Sequence, residues 1–103
     1  NLPNEAGSVE EEEYQFITKL VNSDLDGLIP SGSYANLSQN TTMKDQCLYV
    51  IEVDGDLRSV RYKTGDQPCF DTIPKNMKRL ESWSLSNTEY RVLYKIVSFL
   101  TVL

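Results

Sequence analysis

The chain has 103 residues, 40% of them hydrophobic and 24% charged, which suits one folded domain and leaves no room for two. Ten Lys and Arg against fifteen Asp and Glu give a net charge of −5, and there is no histidine. Those values exclude Ser-His-Asp and Cys-His catalysis, zinc sites built on His, and a nucleic-acid surface of the usual basic kind.

Charge is concentrated at the start of the chain. Residues 1–27 hold seven acids (Glu5, Glu10 to Glu13, Asp24, Asp26) and the single base Lys19, and the remaining residues nearly balance. The chain opens on Asn1 with no charged-then-apolar leader, which reads as a mature or trimmed chain. Residues 1–7 are expected as a flexible N-terminus. Ser8-Val9-Glu10-Glu11 matches a capping box, in which the Ser oxygen and the Glu three residues on satisfy opposing free amides. Tyr14, Ile17 and Val21 then follow at i, i+3, i+7, with Phe16 and Leu20 beside them. This pattern predicts a helix over residues 8–23, its glutamates placed where the helix dipole favours them.

After Gly27 the helical period gives way to β signals. Pro30 and Gly32 delay a strand until about Ser33, and residues 38–45 form a polar loop. Residues 47–53 are dense in β-formers, Asp54-Gly55 is a strong hairpin signal, and residues 57–63 return. A two-residue turn there sets Cys47 opposite Tyr62, Tyr49 opposite Val60 and Ile51 opposite Arg58. One face then carries Cys47, Tyr49, Ile51, Val53, Val60 and Tyr62 as a core face. Residues 64–68 make a second turn that delivers Cys69-Phe70, and 71–76 connect. Residues 78–85 read as a strand, Ser86-Asn87-Thr88 as a turn, and 89–102 as a long final strand. That last strand is apolar on both faces toward its end, which predicts that it is central or sits beneath the helix.

Cys47 and Cys69 are the only thiols, 22 positions apart. They read either as free and buried or as one disulfide, which would stabilise the fold by about 3 kcal/mol. Asn36-Leu37-Ser38 and Asn40-Thr41-Thr42 both fit the N-glycosylation pattern. With an even cysteine count they favour the secretory route, a Cys47–Cys69 disulfide, and glycans at Asn36 and Asn40. The apolar run at residues 92–103 is too short for a membrane-spanning helix, so no span is expected.

No residue pattern nominates catalysis. Nothing places two carboxylates across a cleft, so no enzyme and no cofactor are expected. Asp24-Leu25-Asp26-Gly27 and Asp54-Gly55-Asp56 are fragments of calcium loops without the required ligand spacing, so no metal is expected. The basic middle (Arg58, Arg61, Lys63, Lys75, Lys78, Arg79) is interspersed with acids and reads as solvated strand faces or as partners for the acidic start, with no nucleic acid expected. Trp83, the only Trp, reads as a core anchor or, if exposed on a loop, as a hot spot for a protein partner.

A helix followed by about four antiparallel strands resembles, in element order, the cystatin-like fold. Gly7 precedes the expected helix and Trp83 precedes the Ser86-Asn87-Thr88 turn, as two of the three wedge elements do in inhibitory cystatins. The third, a Q-x-V-x-G loop, corresponds to Gln39-Asn40-Thr41-Thr42-Met43, which begins with Gln and lacks the Val and Gly. The resemblance implies Gly7, Gln39 and Trp83 as partner-binding residues and a papain-like protease as a partner class. Gln46-Cys47-Leu48-Tyr49-Val50 and Glu89-Tyr90-Arg91-Val92-Leu93-Tyr94 look like strand phrases of small secreted arthropod lipocalins, which implies carriage of a small apolar ligand.

These readings together predict one secreted α+β domain over residues 1–103: a helix at 8–23 packed on a four- to five-stranded antiparallel sheet at 33–103. Its expected role is non-catalytic binding or interaction outside the cell. A cystatin-type inhibitor and a lipocalin-like carrier stand as the alternatives.

Overall fold

The structure is a computed structural model that describes residues 15–101. Gly7 and residues 8–14 of the expected helix lie outside the described residues. The described part holds β1 (Gln15–Lys19), β2 (Tyr34–Ser38), β3 (Leu48–Val53), β4 (Asp56–Lys63), β5 (Cys69–Asp71), β6 (Ser82–Ser84) and β7 (Tyr90–Leu100). Two short 3-10 turns, Met77–Arg79 and Leu85–Asn87, are its only helical segments. All seven strands join one sheet in the order β1-β2-β7-β3-β4-β5-β6, each neighbour antiparallel.

The α+β expectation is therefore overturned. Residues 15–19, inside the expected helix, pair along β2 from Gln15↔Ser38 to Lys19↔Tyr34. The helical reading puts Ile17 and Val21 in the core, yet they are 71% and 70% exposed. The same residues also carry a period of two: Phe16 and Thr18 are half-buried while Gln15, Ile17 and Lys19 are exposed. A run this short satisfies both periods, and pairing with β2 decides between them.

The hairpin forms in the expected register, with Tyr49↔Val60 and Ile51↔Arg58. Asp54 and Gly55 both have positive φ, 54° and 81°, the type I′ geometry that matches strand twist. Residues 78–85 do not form one strand. Met77–Arg79 is a 3-10 turn whose Asn76 side chain caps the Lys78 amide at 3.0 Å, and only Ser82–Ser84 is extended. β7 does take a central place, between β2 and β3. Its end is less covered than expected, with Val97, Phe99 and Leu100 exposed.

The β3–β6 side of the sheet curls. Phe70 of β5 meets Tyr90 of β7 edge-on with ring centroids 5.1 Å apart, although β3 and β4 lie between. In a flat sheet those strands would stand roughly 14 Å apart. Two irregularities in β7 help the bend: the register skips Val97 against β2 and Leu93 against β3, each leaving one extra residue on β7. The concave face closes over Tyr49, Ile51, Val53, Val60 and Phe70.

The opposite face carries a second core of Leu25, Ile29, Ala35, Leu37 and Ile96. Leu25 and Ile29 come from the connection between β1 and β2, which lies across that face as a strap. The strap is tied to the β5–β6 connection by Ile73 N donating to the Asp24 carbonyl (2.9 Å) and Gly27 N to the Ile73 carbonyl (2.6 Å). A Cβ on Gly27 would sit 2.9 Å from both the Ile73 and Pro74 carbonyl oxygens, so only glycine permits this approach.

The expected Cys47–Cys69 disulfide is absent, and both thiols are free. The Cys47 carbonyl accepts from the Tyr62 amide (2.9 Å) on the β3 side of β4, while Cys69 pairs with Lys63 from the β5 side. With β4 between them the two backbones are about 10 Å apart, two strand spacings. A disulfide needs Cα atoms within about 7 Å.

Candidate functional site

The strap covers only part of its face. Beside it runs an open groove of about 550 Å³ whose apolar walls include Phe16, Leu20, Leu37, Val50, Leu57 and Tyr94. Strand alternation sets several of these residues there. Phe16 and Leu37 come from the inward rows of β1 and β2, and Val50 is one of the β3 residues that point away from the concave core. Phe16 and Tyr94 brace one another edge-on at 5.1 Å. Two of the lining residues are charged, Lys19 and Arg58, and both are cations.

Arg58 marks the rim where the groove meets the curl. Its Nε and one terminal nitrogen donate to the two Asp24 carboxylate oxygens, each at 3.0 Å, and it also pairs with Glu81. The guanidinium lies 4.8 Å from the ring centre of Trp83. The Asp24 bonds foremost, with Glu81 assisting and burial opposing, raise the Arg58 pKa above its ordinary value. Asp24 also accepts from the Ser59 amide (3.1 Å), and its own amide donates to Ser59 Oγ (3.0 Å). β5 pairs only with residues 61–63 of β4, so Asp24 serves the part of the β4 edge that β5 leaves open.

A smaller, polar cleft of about 390 Å³ adjoins this junction, bounded by Asp24, Arg58, Lys78, Arg79 and Glu81. On the sheet, Asp71 accepts from Cys69 Sγ (3.3 Å) and Ser82 Oγ (3.0 Å), with Arg61 and Lys63 at 3.7 and 3.6 Å. Those partners all come from β4, β5 and β6, and they fasten the three strands together.

Gln39, exposed, follows β2 near one edge of the sheet. Trp83 sits in β6 at the other edge, half-buried against the concave core and beneath Arg58. Met43, from the same loop as Gln39, packs on that core too. Gly7 lies outside the described residues. Asn36 lies within β2, its Nδ2 donating to Gln15 Oε1 at 2.9 Å. Asn40 is exposed in the following loop, its Oδ1 accepting from the Thr42 amide at 3.2 Å.

The sequence did not single out Phe16, Lys19, Leu57 or Tyr94 as a site. Arg58 left a signal: an arginine opposite Ile51 on a core face needs a carboxylate partner. Among the described residues no group of three or more His, Cys, Asp or Glu side chains could hold a metal ion, and no helix is long and apolar enough to cross a membrane. No family model matches the chain, and no curated protein stands out as a relative.

Proposed function

We propose that this chain is a non-catalytic binding domain that carries an apolar ligand in the groove beside its strap. The observation that supports this reading is the contrast in cover. The sheet buries its concave face completely at Tyr49, Ile51 and Phe70, yet leaves a groove of about 550 Å³ open on the other face. Ligand sites are commonly clefts of about 300–1,000 Å³, mostly apolar with a few polar groups, and the groove fits that description. Leu57 is 65% exposed on its wall, a large apolar side chain that the fold itself does not use.

The proposal places the chain outside the cell, in keeping with the two sequons. Asn40 is the better placed glycan acceptor, because its exposed amide nitrogen is free of the bond that engages Asn36.

The test is the neutral fluorophore N-phenyl-1-naphthylamine with the full chain. Its emission is expected to rise on binding and to lose most of that rise with Leu57→Asp. No rise, or an equal rise with the variant, overturns the reading.

A further inference from the structure

We propose that the groove selects an amphiphile with one anionic head, such as a long-chain monocarboxylate, and that Lys19 anchors the head. This rests on the groove being a ligand site and adds what kind of ligand it takes. The whole chain carries −5, but the groove's two charged lining residues are both cations. They are not equivalent. Arg58 is held between Asp24 and Glu81, one cation against two carboxylates, so that end of the groove repels an anion.

Lys19 ends the edge strand β1, is exposed, and has no ion-pair partner among the described residues. A lysine in this position lays its methylene stem along apolar surface and keeps its ammonium in water, where it can meet a carboxylate at the mouth. Thr18 and Asn22 line the groove beside it and offer neutral polar groups for the second oxygen. The tail then runs toward Leu57 and Leu93. The same arrangement disfavours a ligand charged at both ends, whose second carboxylate would approach Asp24 and Glu81. A cationic head finds no carboxylate among the lining residues.

Calorimetry of the full chain with dodecanoate, dodecanol and dodecyltrimethylammonium, below their micelle concentrations, tests this. Dodecanoate should bind about fivefold more tightly than dodecanol, the upper range for one solvent-exposed ion pair. The preference should shrink as salt rises. Lys19→Ala should bring the carboxylate down to the affinity of the alcohol, and Lys19→Arg should retain the preference. Equal or tighter binding of the ammonium compound, or a preference that survives Lys19→Ala, overturns the assignment of the head. Dodecanol bound with no preference for the carboxylate overturns that assignment alone, and binding of none of the three overturns the groove itself.

Discussion

On the concave face the sheet closes with its own strands: Phe70 crosses to Tyr90, and Trp83, Tyr62 and Val92 fill in around them. On the other face a strap does the covering, held at its middle by backbone bonds to Ile73 and by the Asp24–Arg58 pair. The first arrangement buries Tyr49, Ile51, Val60 and Phe70 to zero exposure. The second leaves Phe16, Val50 and Tyr94 only partly covered. Closure by curvature excludes everything but the chain, whereas a strap of limited reach leaves apolar surface uncovered.

The comparison breaks first at the concave core. Phe70→Ala empties a fully buried site with two ring contacts and is expected to lower stability by about 3–5 kcal/mol in urea unfolding. On the strap side, Gly27→Ala forces a methyl against two carbonyl oxygens and should lower stability by about 1–3 kcal/mol. A loss from Gly27→Ala as large as that from Phe70→Ala would make the strap a full partner in the core.

A smaller effect sharpens the concave side. The Tyr49 hydroxyl donates to the Thr42 carbonyl (2.9 Å) and accepts from the Lys44 amide (2.8 Å), and burial raises its pKa above the ordinary 10.0. Above pH 10.0 the unfolded chain releases this proton before the folded one does. Its contribution to stability is therefore complete below that pH and is lost as pH rises through the folded value. Urea unfolding from pH 7 to 11 should show stability falling above pH 10, and Tyr49→Phe should flatten that fall while costing about 1 kcal/mol at neutral pH.

What the sequence disclosed is what is local. Asp54-Gly55 with alternation on both sides specifies β3, β4 and their register without reference to the rest of the chain. The strand pattern of β7 is similarly plain, and so is the start of β2 after Gly32. Residues 15–20 carry two periods at once, and only the distant β2 selects between them. The separation of Cys47 from Cys69 depends on β4 lying between them, which spacing along the chain does not reveal. The groove is less legible still, because its walls come from β1, β2, β3, β4 and β7, and its opening is set by how far the strap reaches.

Backbone amide shift mapping with a neutral apolar ligand such as dodecanol tests the central claim most directly. The account predicts shifts at Phe16, Leu37, Val50 and Tyr94, with Val60 and Phe70 unmoved. Shifts confined to the concave residues, or none at saturating ligand, would contradict it.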